Sequence, residues 1–318
     1  MTHHHNPQVL SAAPAAGALK NPPRLQGPRV WLDMDQQVLD DAYDQLVYAP
    51  NRDLVAQRRL ANSERTRARM GVPERFAYGP SEIEKLDLYR CKRANAPINI
   101  FVHGGAWRAQ RAADYAFLAE PFVNAGASYA ILDFTNVDDA GGSLLPMFEQ
   151  VRRAVAWVYR NAKRLGADPD RLYLTSHSSG SHIAGCLLTH PWEEADLPRD
   201  LIKGAMLGSG MYDLKPVRLS KRSKYVKFTD EIEEKLSAQR HIDRLATPLI
   251  LAYGTCETPE FQRQTRDFHA AVKSARKPVE LLVGEGYNHF EMLETLGNPY
   301  GLLGSAALAQ MRLAPQSS

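Results

Sequence analysis

The chain is poor in the features that mark several protein classes. Its three cysteines, Cys91, Cys186 and Cys256, are too few and too far apart for a disulfide framework, and none has the paired spacing of a zinc site. That scarcity points to a reducing, cytoplasmic setting. No apolar run approaches the roughly 20 residues needed to span a bilayer, so no membrane is expected as a partner. Excess charge is also lacking: 39 Lys and Arg stand against 36 Asp and Glu. The bases are spread along the chain, which argues against nucleic acid and leaves small molecules as the expected partners. No repeat and no second nucleotide-binding half is visible, and neither a cofactor nor a metal is expected.

Residues 1–28 are rich in Ala, Pro and Gly and lack the charged start and apolar stretch of a signal peptide. They read as a flexible tail, with the run His3, His4, His5 closer to a tag remnant than to a metal site. From 29 to 70 the sequence is polar with apolar residues at helical spacing, broken by Pro50, which predicts two helices ahead of the main fold, placed to join a lid. Residues 29–318 are expected to form a single domain.

What is abundant after that is short apolar runs: "KLDLYR", "INIFVHGG", "SYAILDF", "RLYLTSHS", "IKGAMLGSG", "PLILAYG" and "VELLVGEG". Their near-continuous Val, Ile, Leu and Tyr suit strands covered on both faces. Amphipathic segments at 145–166 and 259–275 lie between them. The alternation predicts a mostly parallel sheet flanked by helices, with functional groups at the carboxyl ends of the strands. One interval, 213–245, is long enough for a small cap. It carries Lys215, Arg218, Lys221, Arg222, Lys224 and Lys227 before Asp230, read first as a solvated basic face and second as an attractor of an anionic substrate.

The stretch "YLTSHSSGSH" (173–182) holds four serines. A nucleophile at a sharp strand-to-helix turn needs small residues two before and two after it, because the turn brings those backbones together. Ser176, Ser179 and Ser181 each have a bulky residue at one of those positions, Leu174, His177 and Ile183 respectively; Ser178 has Ser176 and Gly180. Ser178 is therefore the candidate nucleophile, with a helix-capping serine as the bland alternative. About 70 residues earlier, "FVHGGAW" closes another strand, and its paired glycines suit a turn that presents N–H groups to a developing oxyanion. Gly105, Ala106 and Ser179 are the expected donors.

Among the histidines, His177 and His182 are too near Ser178 to fold back on it, His190 lies farther along the same helix, His241 sits in the cap, and His269 lies mid-helix. His289, in "GEGYNHFEM" after the last strand, is the candidate base. A zinc site from His103, His177 and His182 is a poor rival. For the acid, Glu257 lies on the loop after "PLILAYG", with Asp213 as alternative and Glu260 as a helix-start carboxylate. Cys256 follows the same strand but lacks the glycine turn of a thiol nucleophile.

With these residues in hand, the chain resembles the α/β-hydrolases, and the order Ser178, Glu257, His289 matches that family's nucleophile, acid and base order. "HGGAW", the elbow, "GMYDL", "ETPEF" and "NHF" are similar to the arylformamidase-like branch, related to the hormone-sensitive-lipase group of esterases. The pattern departs from it at Ser176, where glycine is usual, and at Glu257, where many relatives carry aspartate. The resemblance implies an α/β-hydrolase fold and cleavage of a small carboxylic ester or aryl formamide through an acyl-enzyme, on an aromatic or anionic small molecule. Substrate contacts are expected from His103, Gly104, Trp107, Tyr212, Tyr287 and Phe290, although Trp107 equally suits packing beneath its loop. A catalytically silent hydrolase-fold binding protein is the alternative reading, and a lipase is disfavoured for want of a large apolar helix.

Overall fold

Alternation between two cores builds the sheet. In the computed structural model, which describes residues 27–315, the seven apolar runs fold as strands and one short polar strand precedes them; most of the expected tail, 1–26, lies outside the described residues. The strands are β1 (Glu74–Ala77), β2 (Lys85–Tyr89), β3 (Ala96–Val102), β4 (Ser128–Leu132), β5 (Ala167–His177), β6 (Gly204–Gly208), β7 (Leu249–Gly254) and β8 (Val279–Gly284). They lie in the order β1-β2-β4-β3-β5-β6-β7-β8, with β1 and β2 antiparallel to their neighbours and all later pairs parallel. On β3, Ile98, Ile100 and Val102 face one core while Phe101 faces the other; on β7, Leu249 and Leu251 oppose Ile250 and Ala252 in the same way. Both faces are thus covered, as a parallel sheet requires.

The helices supply those covers. In chain order they are α1 (Gln36–Ala42), α2 (Gln45–Tyr48), α3 (Arg52–Met70), α4 (Ala119–Asn124), α5 (Leu145–Asn161), α6 (Ser179–Leu188), α7 (Leu214–Leu219), α8 (Asp230–Lys235), α9 (Pro259–Ser274), α10 (His289–Glu294) and α11 (Leu302–Gln310). In α5 the buried residues Met147, Phe148, Val151, Ala154, Val155 and Val158 recur at helical spacing, forming the stripe that packs on the first core with α6 and α9. Phe122 of α4, Met292 of α10 and Leu303 of α11 cover the other face. Before the sheet there are three helices rather than two, because Asp44 caps a separate turn between Tyr43 and Pro50. Among the described residues no helix is long and apolar enough to cross a membrane.

The strand order reverses at β3. From it the chain runs out to β4 on one side and returns to β5 on the other, so the ends of β3 and β5 lie side by side, with Val102 paired to Ser176. This is the switch point at which open α/β sheets bind ligands. The "HGG" turn and the Ser178 turn leave the sheet together there.

The core also holds neutral histidines. His182 on α6 is fully buried, donates from Nε2 to the Leu236 carbonyl at 2.8 Å, and stands edge-on to the Trp107 ring. Burial, helped by the Arg222 charge, pushes its pKa down to about 4. In the unfolded chain a histidine titrates near 6.5, so below that pH the unfolded state binds the extra proton and the folded state loses stability down to about pH 4. Urea melts between pH 7 and 4.5 should therefore show stability falling with pH. His182→Gln should flatten that slope by up to about 1.4 kcal/mol per pH unit; an unchanged slope contradicts the assignment.

Candidate active site

The turn after β5 holds the backbone in a strained conformation. Ser178 sits at φ 58°, ψ −128°, a region costly for a residue with a side chain, and it caps the start of α6. Its amide donates to the Gly208 carbonyl at 2.9 Å, and its own carbonyl accepts from Ser181 and His182. The small flanking residues have a measurable cause. A Cβ on Gly180 would lie 2.2 Å from the Val102 carbonyl oxygen and 2.5 Å from that of His103. Ser176 fits where glycine is usual because its hydroxyl is absorbed by a 2.9 Å hydrogen bond with Ser181.

The "HGG" turn is pressed against this elbow. A Cβ on Gly104 would meet Ser178 Cβ at 2.9 Å, and one on Gly105, at φ 108°, would strike the Ala109 carbonyl at 2.2 Å. Gly105, Ala106 and Trp107 all have positive φ, so the loop curls tightly in the left-handed region. Among the described residues the amides of Gly105, Ala106 and Ser179 have no acceptor, and Ser179 Oγ ties the two turns by accepting from the Trp107 amide at 3.2 Å. Gly105 and Ala106 border the same cavity as Ser178 and His289.

His289 is the first residue of α10. Asn288 caps that helix, accepting from the amides of Phe290 and Glu291 while the Glu291 carboxylate accepts from the Asn288 amide. From there His289 Nε2 reaches Ser178 Oγ at 2.8 Å and Nδ1 reaches Glu257 Oε2 at 2.8 Å. The Glu257 side chain is fully buried, and its other oxygen accepts from Ser209 Oγ at 2.6 Å and the Gly254 amide at 2.7 Å. With the carboxylate accepting at Nδ1–H, Nε2 is left to accept from the serine hydroxyl. The rival acids are engaged elsewhere: Asp213 caps α7 and pairs with Arg240, and Glu260 is held by Arg263 and the Tyr43 hydroxyl.

A cavity of about 340 Å³ opens over Ser178. Phe290 lines it, with Tyr43, Val55, Tyr115, Phe117 and Leu293. Five expected substrate contacts fall outside it. Tyr212 is fully buried, stacked on Phe268 with centroids 4.3 Å apart, because the strand end turns its ring into the core. Tyr287 lies 39% exposed and packs against Gly284 rather than the cavity. His103 and Trp107 line a separate space of about 160 Å³ behind the "HGG" turn, with His103 stacked between Tyr115 and Phe134. Gly104 also borders that space but touches Ser178 from below, where it shapes the elbow. As for a zinc set, His103, His177 and His182 direct ring nitrogens to three different carbonyls, and no group of metal-ligating residues forms among the described residues.

Several site residues were not legible beforehand. His177 donates from Nε2 to the His289 carbonyl at 2.8 Å, and its ring lies 4.6 Å from the His289 ring; burial and that neighbour hold its pKa well below the usual range. Its place directly before the elbow serine was the available signal. Ser209 follows β6 as Ser178 follows β5, a parallel that marks a strand-end hydroxyl. Gln45, which donates to Glu257 at 3.4 Å, and Arg59 and Arg222, which border the cavity, come from segments that only docking brings in.

The BD-FAE family profile matches residues 86–199. A kynurenine formamidase of Danio rerio is 31% identical over 238 residues, covering 73% of this chain and 78% of that protein. An isoprenylcysteine alpha-carbonyl methylesterase of Arabidopsis thaliana is 25% identical over 245 residues, covering 70% of this chain and 57% of its own length. The structure is also similar to that of a thermophilic esterase from Thermogutta terrifontis with propionate bound: TM-score 0.64, 23% identity, 78% of this chain and 98% of that one. With the sheet, the switch-point turns and these likenesses together, the chain belongs to the arylformamidase and esterase-like family of α/β-hydrolases, and it is a hydrolase.

Proposed function

We propose that Ser178, His289 and Glu257 act as nucleophile, base and acid in cleaving small carboxylic esters and aryl formamides through an acyl-enzyme. The observation that carries this is the unbroken relay from Ser178 Oγ to His289 to Glu257, 2.8 Å at each step, beside three amides without acceptors. Ser178 Oγ attacks the carbonyl carbon while its proton passes to His289 Nε2. The oxygen that gains charge is held by the N–H groups of Gly105, Ala106 and Ser179, each such donor worth about 2.7 to 4 kcal/mol. The imidazolium, steadied by Glu257, gives its proton to the departing alcohol or amine, and water then releases the acyl group by the same route in reverse.

The cavity supports a compact substrate. Its volume lies at the small end of small-molecule sites, and the rings of Tyr43, Tyr115, Phe117 and Phe290 favour an aromatic leaving group. Likeness to proteins named kynurenine formamidase supports a formamide, for which protonation of the leaving nitrogen by His289 is the demanding step. Three unpaired cysteines suit a reducing, cytoplasmic setting.

A fluorophosphonate probe should label the wild-type protein at Ser178 and leave Ser178→Ala unlabelled; absence of labelling in folded protein would favour a silent binder. Ser178→Ala should lower kcat by about 10⁴-fold or more and Glu257→Gln by up to about 10⁴-fold. Gly105→Ala, which must move the loop, should cost about 10²- to 10³-fold in kcat, read with p-nitrophenyl acetate. With N-formylkynurenine and p-nitrophenyl butyrate compared side by side, a formamide rate equal to that in buffer removes the formamidase half of the proposal and leaves an esterase.

A further inference from the structure

Four cations border the cavity over Ser178, and two lack a counter-ion. Arg52 pairs with Asp53 at 2.9 Å and Lys221 with Asp44. The cavity's remaining carboxylate, Glu294, is gripped by Arg58 through contacts of 3.0 and 2.7 Å. Among the described residues, Arg59 and Arg222 have no carboxylate within ion-pairing distance.

Arg222 is the more telling of the two. It is 6% exposed, and its four fixed contacts are all uncharged. Nη2 donates to the Tyr43 carbonyl at 3.1 Å, Nη1 to the Tyr225 hydroxyl at 3.0 Å, and the guanidinium lies 5.3 Å from the Trp107 ring and 5.9 Å from that of Phe261. Phe261 in turn stands edge-on to His289 at 5.1 Å, which puts the cation one ring away from the imidazole. A guanidinium has five N–H donors, and two are used here. Arg59, from α3, is similarly posed, over the Tyr115 ring at 5.1 Å with Nη2 on Gln110. Burying a cation without an opposite charge is unfavourable, and proteins keep such groups where a ligand completes the pair.

We propose that Arg222 and Arg59 form an anion subsite, and that the substrate carries a carboxylate in addition to its scissile carbonyl. This rests on the reading of Ser178 as the nucleophile of the same cavity. A planar carboxylate is the match: with aromatic rings against the guanidinium, its edge is what remains to bind, and edge-on pairing with two carboxylate oxygens is the strongest geometry such a fork makes. The paired carboxylates Asp44 and Glu294 are already neutralised and do not oppose it.

Two matched substrate pairs test this: p-nitrophenyl glutarate hemiester against p-nitrophenyl valerate, and aryl acetates with and without a ring carboxylate. Wild-type kcat/KM should favour the anionic member at least tenfold in one pair, mainly through KM, and added salt should reduce the ratio. Arg222→Gln should cut that ratio at least tenfold, Arg59→Gln several-fold, and Arg222→Lys should retain part of it. A ratio near one in the wild type for both pairs, or a ratio unchanged in the arginine variants, overturns the subsite. If no ester is cleaved at all, the proposed chemistry fails and calorimetry still decides the subsite. In Ser178→Ala, phenylacetate should bind at least tenfold more tightly than phenylacetamide, and adding Arg222→Gln should abolish the difference; equal binding of the two ligands counts against it. Should Arg222→Gln fail to fold, Arg222→Lys and Arg59→Gln carry the same comparison.

Discussion

The site depends on one close approach, that of the chain leaving β5 to the chain leaving β3. Gly180 lies against the carbonyls of Val102 and His103, and Gly104 lies against Ser178 and the His177 carbonyl, so neither turn tolerates a side chain on its inner face. At that contact the serine takes a positive φ, as Gly105 and Ala106 of the "HGG" turn do, and all three border one cavity. The strain at such a residue is of the order of 1–3 kcal/mol. It is offset locally by the hydrogen bond from the Ser178 amide to Gly208 and by the two helix bonds that its carbonyl accepts.

Charge is handled in two opposite ways around that point. Glu257 is sealed from solvent with both oxygens hydrogen-bonded, a buried anion with every demand met from within the chain. His177 is kept neutral and spends its proton on the His289 carbonyl, so it fixes the backbone at His289. Arg222 is the exception: a buried cation whose partners are a carbonyl, a hydroxyl and two ring faces. Protein interiors satisfy charged groups as a rule, which makes the exception informative.

Much of this was legible in the sequence because it follows from local rules. Continuous apolar runs gave the parallel strands, and the demand for small neighbours singled out Ser178 before any coordinate did. What was missed lies where local rules stop. β1, "ERFA", is a short edge strand with a mostly exposed, polar pattern that no periodicity marks. Tyr212 and Tyr287 follow strand ends, but position along the chain does not say which way a ring turns. Of the six bases between 215 and 227, most are ordinary surface charges: Arg218 is bound to Asp230 and Glu233, and Lys221 to Asp44. Only tertiary packing separates Arg222 from them.

Half of the cavity's border comes from two stretches, 43–59 and 221–225, that contribute no strand to the sheet and none of the three relay residues. On the proposed reading, replacement there alters what is admitted, while Ser178, Glu257 and His289 stay on the segments that follow β5, β7 and β8. Under that reading, much of the selectivity is encoded apart from the reactive side chains, with Gln45 as the point where the two meet, and a lineage built this way explores new metabolites by editing its entrance.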